Sequence, residues 1–116
     1  MIPRIYHNPH CSKSRATLEL LRARGIEPEI VEYLKTPLAT EALRELLGKL
    51  GLEPRDIVRT GEAEFKEAGI DLSVADDDTV LGLIADHPKV LQRPIVETER
   101  AARIGRPPEQ ILELFE

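Results

Sequence analysis

One cysteine stands in the 116 residues, and a chain with one cysteine forms no internal disulfide. That scarcity fits a reducing compartment. No apolar run approaches the length that spans a bilayer. The opening Met1-Ile2-Pro3-Arg4-Ile5-Tyr6 lacks the continuous apolar stretch a signal peptide requires. A cytoplasmic protein with no membrane partner is therefore expected. Basic charge is not in excess: 16 Lys and Arg stand against 21 Asp and Glu, a net −5. That balance argues against general binding to nucleic acid or anionic lipid, although a local basic pocket fits inside an acidic whole. Internal repeats, low-complexity tracts and domain linkers are also missing.

What remains is a globular mixture, 32% charged and 41% hydrophobic. The length suits one domain, residues 1–116, large enough to bury a core without a structural metal. Ile2 to Tyr6 reads as a short strand, ending in the polar turn His7-Asn8-Pro9-His10. Leu18, Leu21 and the alanines between Ser14 and Arg24 predict a helix that Gly25 stops. Ile30, Val31, Tyr33 and Leu34 predict a second strand, closed by Thr36-Pro37. A strand, helix and strand in about 35 residues is a βαβ unit, with parallel strands and a right-handed crossover.

The middle reads as helical. Thr40 is a candidate N-cap for a helix with Leu43, Leu46, Leu47 and Leu50 on one face, ended by Gly51. Short helices are expected from Pro54 to Val58 and from Glu62 to Ala68. Asp76 should cap another that carries Val80, Leu81, Leu83 and Ile84. Pro94–Glu97 and Ala101–Ile104 flank a hairpin-sized turn, and Ile111, Leu112, Leu114 and Phe115 give a last helix its apolar face. The expected class is α/β, a βαβ…ββα order with a helical insertion at about residues 39–86.

Cys11 falls where the first strand's turn meets the first helix. A helix N-terminus presents unpaired N–H groups and partial positive charge. Both favour a thiolate, and the same groups receive oxyanions. His7, Lys13 and Arg15 are close in sequence and would add positive charge, while Ser14 would donate a hydrogen bond to the sulfur. A buried structural cysteine is the common alternative, but polar neighbours on both sides argue against deep burial. His7, His10 and Cys11 are possible zinc ligands, with His87 distant. Adjacent His10 and Cys11 rarely face one metal, and no second cysteine helps, so no metal site is expected. The position of a second Cys-x-x-Cys thiol holds Ser14, so a complete redox cycle must borrow an external thiol.

The run Ile5-Tyr6-His7-Asn8-Pro9-His10-Cys11-Ser12-Lys13-Ser14-Arg15 resembles the opening of the ArsC-type, glutaredoxin-coupled arsenate reductases. Glu32–Pro37, His87-Pro88, Arg93–Val96 and Gly105-Arg106-Pro107 resemble later motifs of that family in order. The resemblance covers essentially the whole chain and implies a thioredoxin-like fold. It implies that Cys11 is the catalytic nucleophile and that Arg59, Arg93 and Arg106 bind the oxyanion. Forked guanidinium donors suit a tetrahedral anion. It also implies that His7 and Ser14 stabilise the thiolate, and that Pro94 is a cis-proline. Arsenate is the implied substrate, with glutathione as co-substrate, glutaredoxin as partner and no bound cofactor. Two relatives of this fold are the alternatives: Spx-type regulators that bind RNA polymerase, and glutathione-dependent thiol/disulfide reductases without arsenate activity. Many Spx-type proteins carry Cys-x-x-Cys and need not keep the arginine trio.

Overall fold

The computed structural model describes residues 2–116. Its contacts divide the chain into two compact units: one runs up to Thr36 and resumes at Arg93–Glu116, the other is Pro37–Gln92. The second unit begins and ends a few residues outside the insertion expected at 39–86.

In the first unit, β1 (Arg4–Tyr6), α1 (Ser12–Ala23) and β2 (Glu29–Val31) form the βαβ element, with β1 and β2 parallel. The hairpin of β3 (Ile95–Glu97) and β4 (Ala102–Ile104) completes a sheet in the order β2-β1-β3-β4, antiparallel from β1 onward. Ile5 lies opposite Val96 across the β1–β3 ladder, so both side chains leave the same face. They pack with Leu18 and Leu21 of α1 and with Ile111. Leu18 and Leu21 are one turn apart on α1, the spacing that brings two side chains onto one stripe. Ile111 belongs to the last segment, Pro108–Phe115, which winds as a 3₁₀ helix rather than an α-helix. Its apolar residues still face this core, with Leu112, Leu114 and Phe115 packed at the margin.

Gly25 closes α1 at φ 77°, and Ile26 N–H returns to the Leu21 carbonyl at 3.0 Å. That left-handed geometry is one a side chain disfavours. The second strand is shorter than Ile30–Leu34. It stops at Val31, because Lys35 and Thr36 N–H groups both bond back to the Glu32 carbonyl and turn the chain. Tyr33 is fully buried within that turn, so its apolar character serves packing and not the ladder.

The second unit holds α2 (Thr40–Leu50), α3 (Ala63–Ala68) and α4 (Asp77–Asp86), with one 3₁₀ turn between α2 and α3 at Pro54–Ile57 and another after α4 at Pro88–Val90. Leu43, Leu46 and Leu47 are the buried stripe of α2, as their spacing predicts. Ala39, not Thr40, is the N-cap of α2, so the hydroxyl has no capping role. Asp76 does cap α4, accepting from Thr79 N–H at 2.8 Å. Among the described residues, no helix is long and apolar enough to cross a membrane.

Candidate active site

Cys11 is the N-cap residue of α1, extended at φ −97° and ψ 121°, and its carbonyl accepts the first helical bond from Arg15 N–H at 3.0 Å. The preceding turn is fixed by Cys11 N–H to the Asn8 carbonyl (3.0 Å) and by His10 N–H to Asn8 Oδ1 (2.9 Å). Asn8 thus shapes the turn through both its carbonyls, a use of asparagine common in turns. The thiol is half-buried and free.

Burial alone pushes the Cys11 thiol up, since a thiolate loses water there. The backbone N–H of Ser14, the Arg93 guanidinium and the backbone N–H of Lys13 together outweigh it, and the net direction is down. The two amides do not form a closed cap hydrogen bond with the sulfur. They belong to the first turn of α1, where the partial positive charge of a helix N-terminus favours the charged form. Arg106 completes the set with Nη2 3.7 Å from Cys11 Sγ. Its Nε donates to the Arg93 carbonyl at 2.6 Å, which fixes the fork in place. Both arginines precede prolines in cis linkage, Arg93–Pro94 and Arg106–Pro107.

The side chains of His7 and Ser14 are hydrogen-bonded to each other. Burial holds the His7 imidazole below its ordinary value, with Arg22 and Arg15 acting the same way and Glu32 opposing. A histidine so placed is neutral at pH 7 and supplies no full positive charge to the sulfur. His7 Nδ1 lies 2.6 Å from Ser14 Oγ, and Asn8 N–H donates to that same oxygen at 3.0 Å. With Nδ1 unprotonated, the serine hydroxyl is spent on the ring. With Nδ1 protonated, the ring donates and the hydroxyl proton is left for another acceptor. Ser14 reaches the sulfur through its backbone amide, while its hydroxyl braces the loop. Arg15 turns its guanidinium to the Pro9 carbonyl at 2.9 Å.

Ser14→Ala should therefore act mainly on stability. It leaves Asn8 N–H and His7 Nδ1 buried without this partner, a loss of about 1–3 kcal/mol by urea unfolding. The Cys11 thiol, titrated by alkylation, should move less in this variant than in Arg93→Ala.

Arg59 belongs to the second unit. Its N–H bonds to the Val90 carbonyl at 2.6 Å, and its guanidinium is held by Gln92 Oε1 at 3.1 Å and Glu62 Oε1 at 3.4 Å. The first unit thus gathers Cys11, Ser14, His7, Arg93 and Arg106, and Arg59 is a residue of the second unit. Among the described residues, no three His, Cys, Asp or Glu side chains gather as a metal site. The Asn8 bridge and the Arg93 carbonyl were not singled out in the sequence. Asn8 was legible as a turn residue next to a reactive cysteine, whereas a backbone carbonyl carries no residue signature.

The parallel βαβ start, the antiparallel hairpin and the cysteine opening the first helix define a thioredoxin-like protein. The chain belongs to the ArsC family, whose model matches residues 6–114. It is 48% identical over 109 residues to an arsenate reductase of Neisseria meningitidis, covering 93% of each chain. It is 47% identical over 112 residues to YfgD, an uncharacterized protein of Escherichia coli, covering 96% of this chain and 94% of that one. A solved arsenate reductase from Vibrio cholerae matches with TM-score 0.92 at 47% identity, over 96% of this chain and 95% of that one.

Proposed function

We propose that the protein reduces arsenate to arsenite, with Cys11 as nucleophile and external thiols as the source of electrons. The observation that carries this reading is the half-buried Cys11, its thiol shifted down, with Arg106 3.7 Å from the sulfur. A thiolate beside a guanidinium both attacks and attracts an anion. The arsenate reductases among the relatives supply the substrate.

In the proposed reaction, Cys11 Sγ forms a bond to arsenic(V) and one arsenic–oxygen bond breaks, the oxygen leaving as water after protonation. The helix N-terminus and the guanidinium groups of Arg93 and Arg106 hold the remaining oxygens as charge builds on them. Family resemblance gives Arg59 a part in the same task. Glutathione next condenses on the arsenic with loss of a second water. The two sulfurs then join as a Cys11–glutathione disulfide, their electron pair reduces arsenic(V) to arsenic(III), and arsenite departs on hydration. Glutaredoxin, with a second glutathione, breaks that disulfide and returns Cys11 as thiolate. The sum is one arsenate and two glutathiones giving arsenite, glutathione disulfide and water.

The test is arsenite production from arsenate with glutathione and glutaredoxin. Arsenite from the wild-type protein at a rate above the protein-free mixture supports the reading. No arsenite, together with normal reduction of a glutathione mixed disulfide, would replace it with a thiol/disulfide reductase.

A further inference from the structure

Gly105 is buried between α1 and the segment that opens β3. Its φ is not in the left-handed region, which among the glycines is reached by Gly25, Gly51 and Gly69. Backbone conformation therefore does not require glycine here. Space does. A Cβ added at 105 would lie 2.5 Å from Thr17 Oγ1, 2.9 Å from Pro94 Cγ and 3.3 Å from Thr17 Cγ2.

None of these neighbours yields easily. Thr17 is fully buried and its hydroxyl donates to the Lys13 carbonyl at 2.8 Å. Rotation about χ1 would only exchange one heavy atom for another, because threonine is branched at Cβ. Pro94 Cγ belongs to a ring. To regain ordinary contact with Thr17, the backbone at 105 would have to retreat by about 1 Å.

That retreat would carry functional groups with it. Gly105 N–H bonds to the Pro94 carbonyl at 2.9 Å, and the next residue, Arg106, bonds to the Arg93 carbonyl at 2.6 Å. The two arginine-bearing segments are thus laced together, and Gly105 is where that pair meets the helix that carries Cys11. We infer that Gly105 is a positioning residue, whose missing side chain sets the spacing between the Cys11 helix and the Arg93 and Arg106 segments. The inference rests on the reading of Cys11 as nucleophile and adds a specific geometric requirement to it.

Three variants test it: Gly105→Ala, Thr17→Ala and the double variant, each checked by thermal unfolding. The readouts are the pH midpoint of Cys11 alkylation by iodoacetamide and kcat/KM for arsenate. Gly105→Ala should raise the midpoint and lower kcat/KM by about 100-fold, the scale of a 1 Å misplacement. Thr17→Ala should stay near wild type in both. The double variant should regain at least about tenfold of the lost kcat/KM, since the Thr17 contacts are removed and only the Pro94 contact remains.

A folded Gly105→Ala with wild-type midpoint and kcat/KM overturns the inference. So does a double variant that recovers nothing. If Gly105→Ala does not fold, the double variant decides: a folded protein with a wild-type midpoint supports the inference, and a second failure to fold overturns it. An ordinary thiol midpoint in the wild type contradicts the reading of Cys11, and the inference with it. A lowered midpoint in the wild type, with both that midpoint and the wild-type kcat/KM kept in Gly105→Ala, contradicts the role of Gly105 alone.

Discussion

Cys11→Ser should remove arsenate reduction altogether, a loss of at least about 10,000-fold in kcat/KM, comparable to deletion of other catalytic nucleophiles. Serine fits the position well. It is a favoured N-cap residue, so α1 should keep its start and the protein its stability. What is lost is the thiolate. A serine hydroxyl is a weak nucleophile without an adjacent base, and the nearby His7 is committed to Ser14 at 2.6 Å. Nor can serine take the place of sulfur in a disulfide with glutathione. Arsenite assay and thermal unfolding on the same preparation separate these effects. Unchanged melting with no turnover is the expected pair of results.

The second large effect is at Arg106. Arg106→Ala should lower kcat/KM for arsenate by about 100- to 1,000-fold, the range for removal of one donor from a transition-state anion. It should also raise the Cys11 alkylation midpoint, because a positive group 3.7 Å from the sulfur is gone. Arg106→Lys should recover less than about tenfold. One guanidinium here does two things at once: Nε holds the Arg93 carbonyl at 2.6 Å while Nη2 faces the sulfur. A lysine ammonium is a single point and cannot occupy both ends of that fork. Full recovery by lysine would show that charge alone matters at this position.

Much of the fold was legible because local patterns agree with the packing. The α2 leucines and the Asp76 cap follow helical spacing and capping chemistry. The overshoot of the second strand has a clear cause. Tyr33 and Leu34 have strand-like apolar character, but the turn at Glu32 takes the chain away from β1, and Tyr33 is buried there. The last helix shows the apolar pattern in advance, yet its winding as 3₁₀ was not encoded in that pattern.

The site divides in the same way. Cys11 at a helix start follows from sequence, since the turn and the helix are both local. The state of His7 does not. Proximity in sequence suggested a positive charge, whereas burial in the folded unit leaves the ring neutral. Ser14 was named for its hydroxyl, but the amide does the electrostatic work on sulfur. Arg93 and Arg106 were placed by family resemblance, and their connection through a carbonyl is a tertiary fact. Gly105 stands out in the sequence only as part of the Gly105-Arg106-Pro107 motif. Its requirement is a contact with Thr17, 88 positions earlier in the numbering, which no local pattern reveals.

The pH dependence of Cys11 alkylation by iodoacetamide decides whether Cys11 is an activated thiolate, because it reads the sulfur without needing arsenate, glutathione or glutaredoxin. With the thiol shifted down, the midpoint should fall clearly below the free-cysteine value of about 8.5. The group charges on losing a proton, so the stabilisation of its thiolate is present above the unfolded value and is lost as pH falls through the folded midpoint. A midpoint at or above about 8.5 would mean that burial wins over the amides and arginines, and it would contradict the account of Cys11 as an activated nucleophile.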